Sequence, residues 1–395
     1  SFCQKTSPQA KQEKRGASIL AWYTGRMPQR RAAAARPAGD PPKDPPRGMG
    51  SGERPKSTER QGLGLAALIF VALVAGLFFV DVLKENLGLE ESPIELGATF
   101  SKPYAESLGL DWKQTYLAVL DDLGVRRLRI PAYWDDIEPE PDVYNFSNVD
   151  WEVQEAAKRG AKIVLAVGRK LPRWPECHAP AWTEGMNESL VQTRILTMVE
   201  KVVRHYETDP SIVTWQVENE PFFQFGVCPP PDRELLKREV AVVRALDSRP
   251  IMITESGELS SWLSAVGIAD ILGISTYRTV WDRWIGYFYW PISPKYYARR
   301  YEAISTLIDR AIISELQAEP WAVNGIASLS VDEQLRLMNP IRLAENVRFA
   351  RKTGFPEAYL WGVEWWYWLK TAKNHPELWA AGKQVFAAPA PAAKQ

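Results

Sequence analysis

Two glutamates and an asparagine follow a short apolar run in the stretch IVTWQVENEPF, residues 212–222. The β-branched and aromatic residues predict a buried strand, and Pro221 ends it. Asn219 and Glu220 therefore lie at the mouth of that strand, where a carboxylate is costly to desolvate unless it has a partner or a reaction to catalyse. Paired carboxylates can perform acid–base and nucleophilic chemistry, so the position of a second one decides which chemistry is available.

Eight apolar runs alternate with amphipathic helices and must position these side chains. The runs are 94–100, 125–134, 161–168, 212–221, 250–256, 269–277, 311–316 and 357–366. Alternating strands and helices predict a parallel sheet, and eight repeats in this length predict an α/β fold, the (β/α)8 TIM barrel, over residues 94–388. We expect a helix after every strand, including SSWLSAVG between the fifth and sixth runs. Catalytic side chains of such barrels lie at the C-terminal ends of the strands.

Two glutamates compete for the place of the second carboxylate. Glu255 ends the fifth strand, 35 residues after Glu220, so it belongs to the adjacent strand. Glu315 ends the seventh strand, 95 residues on, close to three strand–helix units. Side chains from the fourth and seventh strands can reach a bond held between them across the barrel mouth, which favours Glu220 and Glu315 as the pair.

Two of these strand ends resemble segments of a known enzyme family. WQVENEP resembles the strand-four asparagine–glutamate signature of glycoside hydrolase clan A, the cellulase-like retaining β-glycosidases, and IISELQAEPW resembles that clan's strand-seven nucleophile segment. The resemblance covers about residues 94–388. It implies retaining hydrolysis of β-glycosidic bonds in an oligo- or polysaccharide, with Glu220 as general acid/base and Glu315 as nucleophile. Glu319, beyond the strand, is the alternative nucleophile.

The resemblance also implies roles for several residues around this pair. Asn219 would hydrogen-bond the sugar 2-hydroxyl, and Arg129, in LRIPAYW, would keep the nucleophile ionised. Tyr277 would hydrogen-bond the nucleophile, and Trp361 would be a sugar platform. Alternatively, Arg129 and Tyr277 only form hydrogen bonds with neighbouring residues at the barrel rim and have no role in catalysis.

The segment after the third strand, VGRKLPRWPECH, departs from the clan pattern, in which many members carry a histidine near the strand end. Arg169, Lys170 or the later His178 could occupy that subsite, either to favour an acidic sugar or, as we favour, to pair with nearby carboxylates. His178 and Trp134 complete the set of expected substrate contacts. Glu218 is expected to point away from Asn219 and to serve packing or supporting hydrogen bonds.

Two cysteines lie in loops on the expected catalytic face. Cys177 follows the third strand and Cys228 follows the fourth. In an extracytoplasmic domain they would form a disulfide that stiffens the rim, whereas free buried thiols are the alternative. The loop 279–297 carries three Trp and several Tyr; it could wall a sugar cleft, pack on itself or rest on a bilayer.

Composition excludes several other classes of function. The chain has three Cys and three His and no CxxC, HExxH, GxxxxGK[ST] or GxGxxG pattern, so we expect no metal and no cofactor. Net charge is zero, but residues 1–60 carry 13 Lys and Arg against 5 Asp and Glu. A basic tail that binds nucleic acid is the minor alternative for this segment; we expect no nucleic-acid and no obligate protein partner.

The segments outside the predicted barrel have their own organisation. The composition of residues 1–60, rich in Pro, Ala, Gln, Arg and Gly, predicts a disordered basic tail. GLGLAALIFVALVAGLFFV, residues 62–80, is uncharged and about 28 Å long as a helix, enough to span a bilayer. We predict a transmembrane signal anchor over 61–81, a linker over 82–93 and a disordered tail over 389–395. Basic residues before the span predict a cytoplasmic N-terminus and an extracytoplasmic catalytic domain; a buried core helix is the alternative.

Three other functions remain open on the sequence. A transglycosylase would use the same two glutamates but exclude water from the glycosyl-enzyme. A membrane-anchored polysaccharide-binding barrel would lack catalysis. A structural membrane-assembly protein would show an apolar outer face, which the helices do not obviously have.

Overall fold

The computed structural model describes residues 89–387. They form ten strands and eleven α-helices. The strands are β1 Glu95–Thr99, β2 Arg127–Pro131, β3 Lys162–Val167, β4 Ile212–Val217, β5 Ile251–Ser256, β6 Ile271–Thr276, β7 Thr279–Asp282, β8 Gly286–Tyr289, β9 Arg310–Gln317 and β10 Glu357–Trp361. The helices are α1 Lys102–Ser107, α2 Trp112–Asp121, α3 Trp134–Ile137, α4 Ser147–Lys158, α5 Glu188–Tyr206, α6 Arg233–Leu246, α7 Pro294–Glu302, α8 Val331–Leu337, α9 Pro340–Thr353, α10 Val363–Ala372 and α11 Glu377–Ala387.

Eight parallel strands close into a barrel in the order β1-β2-β3-β4-β5-β6-β9-β10, and β10 pairs with β1. The predicted barrel is thereby confirmed. The strands are apolar because both of their faces are buried. Val164, Met252, Ile271, Ile312 and Tyr359 pack together as a separate cluster from five different strands. A larger apolar cluster joins strands and helices.

Local signals begin and end the helices. Asp111 accepts hydrogen bonds from the main-chain N–H groups of Lys113 and Gln114, which caps α2. Ser330 and Glu333 form a reciprocal capping box at the start of α8. Gly354 ends α9 in the left-handed conformation, with φ of 78°.

Two local predictions were wrong. Residues 257–270, which contain SSWLSAVG, form turns instead of a helix. Trp262 is buried there with φ of 67°, so tertiary packing of its ring overrides the helical pattern. The run 357–366 is not one strand either, because β10 ends at Trp361 and α10 begins at Val363. The loop after β6 adds an antiparallel hairpin, β7–β8, that the sequence pattern did not show.

The predicted span over residues 62–80 and both predicted tails lie outside the described residues. Between residues 89 and 387, no helix combines the length and the apolar character that crossing a membrane requires. The signal anchor therefore stays a sequence prediction.

Candidate active site

The two glutamates singled out in the sequence lie at the C-terminal mouth of the barrel. Glu220 follows β4 by three residues, and Glu315 lies within β9 near its end. Strands β5 and β6 separate them in the barrel. Their side chains are nearly closed off from solvent, with Glu220 8% and Glu315 4% exposed. Parallel strand ends therefore bring together two buried carboxyl groups, as the strand register requires.

Glu315 is held by two donors from different strands. Arg129 on β2 donates from Nη1 to Oε1 at 3.0 Å. Tyr277, just after β6, donates from its hydroxyl to Oε2 at 2.9 Å. Hydrogen bonds to both of its oxygens fix the orientation of the Glu315 carboxyl group. The surroundings of Glu315 suit a carboxylate that attacks.

Arg129 also orients the side chain of Asn219. The guanidinium is fully buried and donates at 2.7 Å to Gln216 Oε1 and at 2.7 Å to Asn219 Oδ1. The hydroxyl of Thr254, on β5, donates to the same Asn219 oxygen at 3.1 Å. A buried arginine needs several partners to offset its desolvation, and here those partners are the residues of the site itself. With its carbonyl oxygen engaged, Asn219 presents its NH2 group to the mouth.

Glu220 has a different environment. Its main-chain N–H donates to Thr254 at 2.7 Å, and Lys170 Nζ donates to its carbonyl oxygen at 2.8 Å. Its φ of 44° lies in the left-handed region, a strained conformation that active sites often contain. Burial, followed by the nearby charge of Glu315, raises the pKa of the Glu220 carboxyl to about 7. Such a group holds a proton near neutral pH and can donate it.

A third carboxyl group, Glu176, lies in the same pocket and was missed in the sequence. Asn219 Nδ2 donates to Glu176 Oε2 at 3.2 Å. Burial, followed by the charge of Glu315, raises the pKa of the Glu176 carboxyl to about 8. Nothing in RWPECH marks this residue, because the loop after β3 has no period and only the folded loop brings Glu176 to Asn219.

Glu218 anchors the beginning of that loop. Its two oxygens accept from the main-chain N–H groups of Arg169 at 2.7 Å and Lys170 at 2.6 Å. A Cβ at Gly168 would lie 2.6 Å from the Glu218 carboxylate, and Gly168 has φ of 126°, so only glycine fits there. The expected supporting role of Glu218 agrees with these contacts.

The two cations considered for this subsite are both engaged. Arg169 pairs with Glu188 at 2.9 Å, the carboxylate pairing that the sequence favoured. Lys170 instead donates to the main-chain carbonyls of Glu220 and Phe223.

Trp361 and the alternative nucleophile Glu319 belong to a neighbouring network centred on Arg173. Trp361 Nε1 donates to Glu319 at 2.9 Å, and Tyr104 donates to the other Glu319 oxygen at 3.0 Å. Arg173 forms an ion pair with Glu319, and its guanidinium carbon lies 4.0 Å from the centre of the Trp361 ring. The ring is 7% exposed, so a sugar would meet it only beside Arg173.

Two expected substrate contacts do not face the site. Trp134 was predicted wrongly, because its ring is fully buried and its indole N–H donates to Glu138 at 2.7 Å. His178 lies under the β3 loop, with Nε2 3.1 Å from the Arg173 carbonyl and its ring against Tyr133. Burial lowers the pKa of His178 to about 4. A neutral, buried imidazole supports the loop; a sugar contact through it stays a prediction that this geometry does not favour.

Cys177 and Cys228 are joined as a disulfide, with Cα atoms 5.3 Å apart. The bond links the loops after β3 and β4 at the rim. Val227 N–H also donates to the Pro175 carbonyl at 2.9 Å. Within residues 89–387, no group of three or more His, Cys, Asp or Glu side chains is arranged to hold a metal ion.

The aromatic stretch 279–297 forms the β7–β8 hairpin and the start of α7. Trp284 at the hairpin tip is 79% exposed. Tyr287 donates from its hydroxyl to the Trp321 carbonyl at 2.9 Å, and the Trp321 ring lies 5.2 Å from that of Tyr277. One side of the hairpin therefore supports an aromatic edge of the site, whereas the Trp284 side chain at its tip is exposed to solvent.

A parallel eight-stranded barrel with a buried glutamate at the fourth strand end and another at the seventh is similar to the arrangement in clan A of the glycoside hydrolases, the class that the sequence resembles. A family model described as cellulase (glycosyl hydrolase family 5) matches residues 94–281. Over these residues the chain resembles the cellulase-like glycoside hydrolases. The matched range includes β1–β6, Arg129, Asn219, Glu220 and Tyr277, and it ends before β9.

Several solved structures are similar to the chain. GH5_18 from Streptomyces cattleya, in complex with GlcNAc, is 12% identical over 69% of this chain and 71% of its own, with a TM-score of 0.49. The exo-β-1,4-mannosidase Op5Man5 from Opitutaceae bacterium strain TAV5 is 14% identical over 69% of this chain and 53% of its own, with a TM-score of 0.47. Endo-glycoceramidase II from a Rhodococcus species is 15% identical, covering 68% and 73%, with a TM-score of 0.44.

Proposed function

We propose that the protein hydrolyses β-glycosidic bonds of an oligo- or polysaccharide with retention of configuration, by a double displacement. Glu315 is the nucleophile and Glu220 is the general acid/base. The observation that carries this proposal is the contrast between two buried glutamates in one pocket. One receives hydrogen bonds from Arg129 and Tyr277, and burial raises the pKa of the other to about 7.

In the first step, Glu315 attacks the anomeric carbon while Glu220 transfers its proton to the glycosidic oxygen. The leaving sugar departs as an alcohol, and a covalent glycosyl-enzyme remains on Glu315. Formation of this ester removes the negative charge of Glu315. Burial and then the charge of Glu315 raise the pKa of Glu220; once that charge is gone, only burial is left and the pKa of Glu220 falls. Glu220 is thereby prepared to act as a base.

In the second step, Glu220 accepts a proton from water, and the water oxygen attacks the anomeric carbon. Glu315 leaves as a carboxylate and regains its hydrogen bonds from Arg129 and Tyr277. Two inversions at one carbon give net retention. The NH2 group of Asn219 lies beside the two glutamates and donates a hydrogen bond to Glu176. In the complex with substrate, a sugar 2-hydroxyl would replace Glu176 as the acceptor.

The test is a substrate screen with the stereochemistry recorded. The full-length chain, kept in mild detergent because residues 62–80 predict a span, is incubated with aryl β-glycosides and β-linked polysaccharides. Proton NMR of the first product then distinguishes the β-anomer from the α-anomer. We expect the β-anomer, loss of turnover on every substrate in Glu315→Ala, and loss of turnover in Glu220→Gln on the polysaccharides, whose leaving groups need a proton. An α-anomer as first product excludes the double displacement, and binding without turnover on every substrate favours the binding-barrel alternative.

A further inference from the structure

The loop after β3, residues 168–178, extends across one half of the barrel mouth. Its residue Arg173 lies against Tyr104, in the helix after β1, and against Trp361, the last residue of β10. In the barrel, β2 and β1 separate β3 from β10. Before it reaches β10, the loop contacts the end of β2, because the hydroxyl of Tyr133, which follows β2, donates to the Pro172 carbonyl at 2.8 Å. The loop therefore covers the ends of β1 and β2 and reaches β10.

The far end of this loop is fixed by charge and by rings. The Arg173 guanidinium carbon lies 3.6 Å from the centre of the Tyr104 ring and 4.0 Å from that of Trp361. Two rings this close to one planar group must occupy its opposite faces. Arg173 also pairs with Glu319 and, at 3.2 Å, with Glu364 on α10. A buried cation with two carboxylates and two aromatic faces is held firmly, so this half of the mouth is closed.

The other half of the mouth is bordered by aromatic side chains. Trp174 is 52% exposed, and its ring lies 6.4 Å from that of Phe225. Phe225 lies 6.1 Å from Trp321, which in turn lies 5.2 Å from Tyr277. This row of rings leads from the surface to the residue that holds Glu315. Aromatic surface of this kind, in the wall of a site, suits the apolar face of a sugar.

The assigned chemistry relates these two halves to the substrate. Glu220 projects from the end of β4, and a general acid must lie beside the glycosidic oxygen. The leaving group therefore lies on the β4 side, along the aromatic row. The attacked sugar lies on the opposite side, toward β1, β2 and β10, under Arg173. A chain of sugars beyond the attacked ring would collide with the Arg173 network.

We propose that Arg173 closes the non-reducing side of the site, so that the enzyme removes single terminal sugars and does not cleave within a chain. This inference rests on the proposed glycosidase function and specifies how it acts on its substrate. It assigns Arg173 as the residue that determines exo action. The aromatic row would then bind the remainder of the substrate.

Product analysis of the wild-type, full-length enzyme tests the inference directly. The probes are β-1,4-linked tetrasaccharides of glucose, mannose and xylose, each with a fluorophore at the reducing end. We expect a labelled trisaccharide as the first product, with a free monosaccharide. Labelled mono- or disaccharide among the first products would overturn the inference while leaving the glycosidase function intact. Absence of any product from all probes and from aryl glycosides would overturn the glycosidase function and this inference with it.

A variant of Arg173 tests the assignment to that residue. Arg173→Gly suits the backbone, because φ is 84° at this position. We expect internal cleavage to rise at least about 10-fold relative to terminal release, as expected when a steric block of this size is removed. Arg169→Gln, in the same loop but paired with Glu188, is the matched control and should keep the wild-type products. A folded Arg173→Gly enzyme with unchanged products overturns the assignment; if the variant does not fold, the wild-type product pattern still decides the inference.

Discussion

Glu315 and Glu220 share one pocket, yet their surroundings differ in charge. Arg129 and Tyr277 donate hydrogen bonds to both oxygens of Glu315. Glu220 is bound through its main chain by Thr254 and Lys170, while its carboxyl group is buried beside the charge of Glu315. The same residue type thus has two donors on its oxygens in one place, and a pKa raised to about 7 by burial and then by the charge of Glu315 in the other. The neighbours assign the role, and changing them should separate the two glutamates experimentally.

The largest effect is expected at the nucleophile. Glu315→Gln should lower kcat/KM by about 10⁴-fold or more, because no glycosyl-enzyme can form without the attacking carboxylate. A 2-deoxy-2-fluoro glycoside with a good leaving group should label the wild-type enzyme, and peptide mapping should locate the label on Glu315. A label on Glu319 would instead assign Glu319, and not Glu315, as the nucleophile.

Removal of the acid should give a smaller loss that depends on the leaving group. Glu220→Gln should lower the rate about 10³-fold on a natural disaccharide and much less on a dinitrophenyl glycoside, which needs no proton to depart. Wild-type kcat/KM on the disaccharide should fall as the pH rises above about 7, because Glu220 then loses the proton it must donate. Glu255→Gln, one strand further on, is the matched control and should retain nearly full activity.

Loss of one hydrogen bond to the nucleophile should have an intermediate effect. Tyr277→Phe removes the hydroxyl 2.9 Å from Glu315 and should lower kcat by about 10- to 100-fold. Tyr287→Phe is a matched control, because its hydroxyl binds the Trp321 carbonyl instead. Equal activity in the two variants would show that the environment of Glu315 does not depend on this donor.

The smallest effect should appear in stability rather than in rate. The pKa of Glu176 is raised to about 8, so the unfolded chain releases this proton at lower pH than the folded one does. Stability is therefore lost as the pH rises from about 4.5 to about 8. Glu176→Gln removes this dependence and should stabilise the protein by about 4 kcal/mol at pH 8 and hardly at pH 4.

Thermal unfolding at the two pH values measures this difference, with the exposed Glu184→Gln as control. An equal shift in Tm at both pH values would show that burial of the Glu176 carboxyl is not the cause.

Local patterns predicted the parts of this protein whose physics is local. Apolar runs of strand length, separated by amphipathic helices, have one stable arrangement at this number and spacing, and all eight barrel strands lie where the runs predicted them. Because parallel strands place their C-terminal ends on one face, the positions of Glu220 and Glu315 followed from the same pattern. The disulfide partners were found for a related reason, since both loops leave the same face.

Other features depend on which side chains meet in space. The indole ring of Trp134 could stack on a sugar, but it is buried and hydrogen-bonded to Glu138. No sequence pattern distinguishes a tryptophan of the core from an exposed one. Trp262 holds residues 257–270 in turns despite a helical pattern. The hairpin β7–β8 and the position of Glu176 arise inside loops, where the chain has no period to be read.

The sequence by itself therefore determined the barrel, the face that carries the site and the two glutamates at its centre, because each follows from periodicity and strand order. Only the tertiary structure decided that Arg173 crosses from β3 to the rings of Tyr104 and Trp361, and that burial raises the pKa of Glu220 and Glu176. These properties are sums over neighbours from several separate segments of the chain. Desolvation and Coulomb interaction act through space, so they exist only once the chain is folded.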